Sequence, residues 1–348
     1  MIKEGQPPPT ANSQQLSAKS HLPTVDALRG FAALSVCVFH YTNGTLPRIQ
    51  FPGLLDTFVW GYYGVMVFFV LSGFIIPYSL ARRSYSARSF GSFFGKRLLR
   101  LAPPSYVILL FTLGQLYAAD RWLHSPNHYT ATLSWARVLH NFTYTIPFTG
   151  YKWLNNIYWT LAVEFQFYLL IGLLFRPLTR NKYTFLVGGV LLNLGYYLPW
   201  LQPVGFFRES SVFLLGLAVF MYYEEKLGSR ELALALVVLT GLNYVQHDGQ
   251  TVVFGLGTAL ALLLLTIRHP AALWLGRISY SLYLTHILVG TTLEVVLVRL
   301  LGGTPLGHPL VLLAICLGSA LGVAYLFYRL VERPFVKLAN CVFRPRGT

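Results

Sequence analysis

Apolar positions gather in long runs along this chain. Ten such runs follow one another, at about 26–43, 58–80, 101–118, 156–175, 184–201, 209–223, 231–246, 250–267, 278–300 and 309–330. A run of roughly 18 or more apolar residues reads as a membrane-spanning helix. The pattern therefore predicts an all-α, polytopic integral membrane protein with about ten transmembrane helices. The seventh and eighth runs are short and closely spaced. Between the runs lie short polar connections, most of them basic.

Residues 1–20 are polar, contain Pro7-Pro8-Pro9 and have no apolar core of signal-peptide length. They are expected to form a disordered cytoplasmic tail. Residues 21–338 are read as a single transmembrane domain, and 339–348 as a short basic cytoplasmic tail. The longest outer connection, 119–155, is rich in aromatics and His and fits a re-entrant or interfacial cap. No internal repeat is visible, which disfavours a transporter built from repeats.

Composition supports the pattern. The chain is 55% hydrophobic and 11% charged, where a soluble domain carries about 25% charged residues. The net charge of +15 first suggests nucleic acid. The distribution argues otherwise. All but six of the lysines and arginines fall on the side of the N-terminus; Arg48, Arg121, Arg137, Lys152, Arg208 and Arg299 fall on the other. That is the positive-inside asymmetry, with both termini cytoplasmic and an even number of spans. Basic loops still suit an anionic ligand. Cys37, Cys316 and Cys341 form no CxxC pair, so neither a disulfide framework nor a zinc site organises the chain, and no metal is expected.

The chemistry-bearing residues sit inside the runs. Asp26, Arg29 and His40 share the first. Arg29 and His40 are eleven residues apart, close to three whole turns, so both lie on one face, about 16 Å apart along the axis. Such residues face a protein interior or a wet cavity. The stripe is either a functional pair or a buried cluster tying helices together. In the second run, Ser72-Gly73 permits close helix approach. Arg97 and Arg100, at the start of the third, share a face at i, i+3. They suit phosphate recognition or simply signal topology. Glu164, in the fourth, is expected at the depth of His40. It either orients the imidazole, as a third triad member would, or pairs with an arginine such as Arg208. His286, in the ninth, either contacts a bound ligand or is a hydrogen-bonded structural residue. Glu332-Arg333-Pro334 reads as a helix stop.

These pieces, in order, resemble the acyltransferase-3 family, integral-membrane enzymes that O-acetylate cell-surface polysaccharides and related molecules. The matching stretches are Asp26-Ala-Leu-Arg-Gly with the Arg29 to His40 spacing, Phe69 to Phe74 and Arg97-Leu-Leu-Arg-Leu-Ala-Pro. Further along come Trp159-Thr-Leu-Ala-Val-Glu164 with Tyr168, Arg208 with Phe213-Leu-Leu-Gly216, Ser279 to His286, and Glu332-Arg-Pro-Phe. The resemblance covers residues 26–335. It implies acyl transfer, most simply of acetyl, from cytoplasmic acyl-CoA (a donor substrate, with no tightly bound cofactor) to a hydroxyl of a cell-envelope glycan or lipid-linked sugar.

The family's Arg and His carry over to Arg29 and His40. His40 is the expected base or acyl carrier, with Glu164 as its orienting carboxylate. Arg29, Arg97 and Arg100 are the expected donor-binding residues. Ser72, Arg208 and His286 are the further residues expected along the substrate path. Many relatives carry an extra extracytoplasmic hydrolase-like domain. None is read here, so the expected alternatives are action alone or with a separate extracytoplasmic partner. Membrane lipids are the surrounding solvent, and the expected location is the bacterial cytoplasmic membrane. A glycan or lipid transporter without acyl chemistry is the competing reading.

The basic asymmetry carries the first prediction. A reporter fused to the C-terminus is expected to signal from the cytoplasm. An extracytoplasmic signal there overturns the topology and the side assigned to the donor.

Overall fold

The protein, seen in a computed structural model, is described over residues 22–44, 57–83, 85–122, 128–301 and 308–343. The predicted tail at 1–20 lies outside these residues. Among the described residues the chain is helical throughout, with turns and no strand. We number the helices α1 Pro23–Phe39, α2 Gly64–Ala81, α3 Phe90–Trp122, α4 Trp135–Phe142, α5 Tyr158–Leu178 and α6 Lys182–Leu194. They continue with α7 Gly205–Tyr223, α8 Ser229–Gln246, α9 Gly249–Leu264, α10 Pro270–Leu301, α11 Pro309–Phe327 and α12 Arg333–Val342.

Each of the ten apolar runs falls on one of these helices. Five helical stretches are long and apolar enough to cross a membrane: Val59–Ala81, Ala87–Trp122, Tyr158–Leu178, Gly205–Tyr223 and Pro309–Val342. Gly249–Leu264 is apolar but shorter. α1 has 17 residues, about 26 Å of helix, and carries Asp26 and Arg29.

Local sequence sets several ends. Pro23 occupies the first turn of α1, where its missing N–H costs nothing. Asn181 and Thr184 form a reciprocal capping box on α6. Asp248 caps α9 by accepting from the Thr251 N–H. Two boundaries differ from the sequence reading. α3 begins eleven residues before the third apolar run, at Phe90, so Lys96, Arg97 and Arg100 are interior helix residues. Near the C-terminus the helix does not stop at Glu332. α11 passes through a π-helical turn, Tyr328–Glu332, into α12, whose first turn tolerates Pro334.

The connection at 119–155 becomes α4 and flanking 3₁₀ turns. Asn141 ties it down by accepting from the Leu154 N–H at 3.0 Å. Trp135, 89% exposed, stands at its surface.

Two glycine crossings organise the bundle. α1 packs along α10 and α2 along α7. At Gly276 an added Cβ would stand 2.2 Å from the Asp26 carbonyl oxygen, and at Gly30 2.7 Å from the Gly276 nitrogen. At Gly73 it would stand 2.0 Å from the Phe213 carbonyl oxygen, and at Gly216 2.0 Å from that of Val70. Ser72-Gly73 does permit the close approach expected of it. A large core surrounds α2, α5 and α7. A smaller one fills the seam between α1, α10 and α11 around Cys37, Tyr41, Leu282 and Cys316.

Gly73→Ala is expected to destabilise the protein by about 1–3 kcal/mol, the usual cost of overpacking. Gly114 on α3 has nothing within 4 Å of an added Cβ, so Gly114→Ala is the control. Thermal unfolding in detergent reads both. Equal melting temperatures would show that the α2–α7 backbones do not touch.

Candidate active site

A cavity with about 770 Å³ between its walls and mouth opens among α1, α2, α3, α5 and α10. Arg29, Arg97 and Arg100 all line it, with Ser72, Glu164 and Tyr168 opposite. Arg97 and Arg100 are three residues apart on α3 and present one face. Prolines at 103 and 104 follow immediately. Lacking N–H groups, they leave the Leu99 and Arg100 carbonyls without their helical donors.

The cavity is electropositive by composition. The Arg97 guanidinium lies over the Tyr168 ring at 5.6 Å and the Phe93 ring at 6.0 Å, a cation–π cradle. The Arg100 Nε is buried without a hydrogen-bond partner among the described residues. Glu164 Oε1 accepts from Ser72 Oγ at 3.0 Å and from the Tyr168 hydroxyl. A second carboxylate, Glu332, is buried and accepts from Ser281 Oγ at 2.6 Å. It stands within electrostatic reach of Arg100 and Arg29. Sequence reasoning read Glu332 only as part of a helix stop. Its spacing from the Ser279–His286 stretch gave no signal of the contact.

The cavity wall leads on to the two histidines. Tyr283 lines the cavity, its hydroxyl shares a hydrogen bond with Thr160 Oγ1 at 2.7 Å, and its ring lies 5.8 Å from that of His286. The His286 ring lies 5.2 Å from the His40 ring. His286 Nδ1 faces the carbonyls of Tyr283 at 2.8 Å and Leu282 at 3.1 Å. Carbonyls only accept, so Nδ1 carries the proton. Nε2 is then a bare lone pair, buried without a partner. The Tyr41 hydroxyl donates to the His286 carbonyl at 2.6 Å and locks α10 to the end of α1. His40 itself opens a π-helical turn, His40–Gly44, a distortion frequent at functional sites.

The structure thus gathers Arg29, Arg97, Arg100, Ser72 and Glu164 into one cavity and sets His40 against His286 beside it. Glu164 is engaged by Ser72 and Tyr168, and the ring facing His40 is that of His286.

Arg208 lies elsewhere. It belongs to a second cavity, between α2, α5, α7 and the α8–α9 connection, with Tyr62, Trp159, Glu209, His247 and Asp248. Its carboxylate neighbour is Glu209, at 3.9 Å, rather than Glu164. Glu209, 4% exposed, was missed at the sequence level. The signal available was a carboxylate one position inside an apolar helix. Burial holds the His247 imidazole below its usual range, and its Nε2 donates to the Arg208 carbonyl at 3.0 Å.

An all-helical, apolar bundle enclosing a cationic cavity and a histidine pair defines a class, the membrane-embedded group-transfer enzymes. Comparison narrows the class. The acyltransferase domain model matches residues 22–329, and the chain belongs to that acyltransferase-3 family. It is therefore an acyltransferase. A Bacillus subtilis protein named provisionally as a peptidoglycan O-acetyltransferase is 26% identical, over 90% of this chain and 55% of its own length. A provisionally named acetyltransferase of Acidianus two-tailed virus is 26% identical, over 80% of this chain and 86% of its own. A provisionally named O-acetyltransferase of Staphylococcus aureus (strain COL) is 25% identical, over 91% and 58%. This chain spans little more than half the length of the Bacillus and Staphylococcus proteins. No solved structure matches it.

Proposed function

We propose that the protein is a ten-span O-acyltransferase of a bacterial cytoplasmic membrane, with both termini inside. It moves an acyl group, most simply acetyl, from cytoplasmic acyl-CoA to a hydroxyl of a cell-envelope glycan or lipid-linked sugar. The names of the Bacillus and Staphylococcus relatives support an acetyl group and a glycan acceptor. The observation that carries the reading is the cavity of three arginines whose Arg100 Nε has no protein partner. A buried guanidinium nitrogen left unsatisfied is costly. An anionic ligand would supply the partner, and guanidiniums fit phosphate oxygens two at a time.

The thioester arm would extend from Arg29, Arg97 and Arg100 past Ser72 and Tyr283 toward His40. There the acceptor hydroxyl oxygen attacks the thioester carbonyl. The carbon–oxygen ester bond forms, the carbon–sulfur bond breaks, and the hydroxyl proton ends on the CoA thiolate. His40 takes that proton as general base, or takes the acyl group itself and passes it on. Glu164 holds Ser72 and Tyr168 in place and offsets part of the arginine charge. An extracytoplasmic partner enzyme, where one exists, would act downstream of this step.

Purified protein in nanodiscs, supplied with acetyl-CoA, is expected to release free CoA thiol, and a transporter would not. His40→Ala is expected to abolish release while expression and insertion persist. Activity within a few-fold of wild type in folded His40→Ala protein would make His40 a packing residue. Arg100→Ala is expected to raise KM for acetyl-CoA about ten- to a hundredfold, the worth of a hydrogen bond to a charged group, with a smaller change in kcat. Arg97→Lys is expected to keep part of the affinity lost in Arg97→Ala, since the charge survives without the fork. Unchanged KM in the Arg97→Ala, Arg100→Ala double variant would remove these residues from the donor site.

A further inference from the structure

The second cavity has a buried floor and an exposed rim. The Glu209 side chain, 5% exposed, forms the floor, and the Arg208 side chain, 62% exposed, stands at the rim. Tyr62, also largely exposed, and Trp159 supply aromatic walls. The cavity holds about 500 Å³ between these walls, open side included.

Its polar groups are not equally committed. Asp248 is spent on the protein: Oδ1 accepts from the Thr251 N–H at 2.8 Å and Oδ2 from the Tyr63 hydroxyl at 2.9 Å. His247 lies 3.5 Å from Glu209 Oε2, but its Nε2 hydrogen is directed to the Arg208 carbonyl. Glu209 Oε2 is therefore buried without a hydrogen-bond partner. A buried carboxylate oxygen with free lone pairs calls for a donor, and it faces a cavity that can hold one.

The chemistry of the walls selects the donor. Two carboxylates on the lining disfavour phosphate. The one guanidinium, Arg208, disfavours a simple cation. An acyl chain would leave Glu209, Arg208 and His247 without partners. A neutral sugar ring meets every condition. Its hydroxyls donate to Glu209 Oε2 and accept from Arg208, and its C–H faces lie against Tyr62 and Trp159. The position also fits. Tyr62 packs edge-on to Phe39 at 5.5 Å, next in sequence to His40, and the cavity lies where α2, α5 and α7 begin, away from Arg97 and Arg100.

We propose that this second cavity is the acceptor subsite and takes a neutral pyranose of the acceptor glycan, with Glu209 Oε2 as its hydroxyl acceptor. The proposal rests on the acyl-transfer reading for its role, but not for the binding itself. Glu209 here is a positioning residue for the acceptor; no bond to it forms or breaks.

The test uses the full chain in nanodiscs. Binding of methyl β-glucoside, methyl β-N-acetylglucosaminide, glucose 6-phosphate and octanoate is read by saturation-transfer NMR, and acetyl-CoA binding is read in parallel. The neutral glycosides are expected to bind in preference to glucose 6-phosphate and octanoate. Glu209→Gln is expected to weaken the glycosides about tenfold, because the charge-assisted hydrogen bond becomes a neutral one, and to leave acetyl-CoA affinity unchanged. Retained acetyl-CoA binding certifies its fold. Tyr62→Leu, at the exposed rim, is expected to weaken the glycosides as well and serves if Glu209→Gln does not fold.

Preference for the phosphorylated sugar or the fatty acid, absence of any glycoside binding, or glycoside affinity unchanged in the folded variants would overturn the proposal. Glycoside binding without acetyl-CoA binding would leave the sugar site standing and overturn the acyl-CoA reading instead.

Discussion

At Gly73 and Gly216 an added Cβ would stand 2.0 Å from a carbonyl oxygen of the opposite helix, so α2 and α7 meet backbone to backbone. The same holds for α1 and α10 at Gly30 and Gly276. Everything at the two cavities depends on these approaches. The α1–α10 crossing brings His40 against His286 and Tyr41 onto the His286 carbonyl. Ser72, one residue before the α2–α7 crossing, turns toward Glu164 on α5, and Glu209, two turns before Gly216, is carried beneath the second cavity. In a bilayer, lipid tails are as apolar as leucine, so burial alone does not hold helices together. Small residues that let backbones touch supply the missing specificity.

Much of this was readable beforehand. The ten apolar runs all became helices, and the eleven-residue spacing of Arg29 and His40 put both near one continuous path. What hydropathy could not show was where a charged residue sits relative to a helix. The third run was begun at Leu101 because Lys96, Arg97 and Arg100 are polar. The chain instead starts α3 at Phe90 and carries the arginines inside, because a cavity with Glu164 and two aromatic faces receives them. Glu332 was hidden by Pro334, a residue that ends helices in their interior but opens them in the first turn. Partner choice was also beyond the sequence. Depth alone allowed Glu164 to meet His40 or Arg208, and the fold gave Arg208 its own sequence neighbour instead.

The two cavities are complementary in charge, and the same helices build both. Three arginines face the first; a buried carboxylate floors the second. α2 and α5 contribute to each, with Trp159 in one and Thr160 in the other. Under the acyl-transfer reading this division has a reason. Donor and acceptor approach from opposite sides of a membrane, and neither needs to cross it. Only the acyl group travels, and it travels past the histidines.

Unpartnered buried atoms point to the sites, but only in combination with space. Arg100 Nε, Glu209 Oε2, Thr240 Oγ1, both amide atoms of Asn243 and His286 Nε2 all lack hydrogen-bond partners among the described residues. Each carries a desolvation cost of about 1–3 kcal/mol. Thr240 and Asn243 line neither cavity and offer a ligand no room. Arg100 and Glu209 each line one, and they differ in sign. His286 lines neither, yet it stands between Tyr283 on the wall of the first cavity and His40. The three functional candidates therefore fall in order along the bundle, cation, imidazole, carboxylate. That order is the one acyl transfer requires: an anionic donor, a proton acceptor, and a hydroxyl held by its hydrogen.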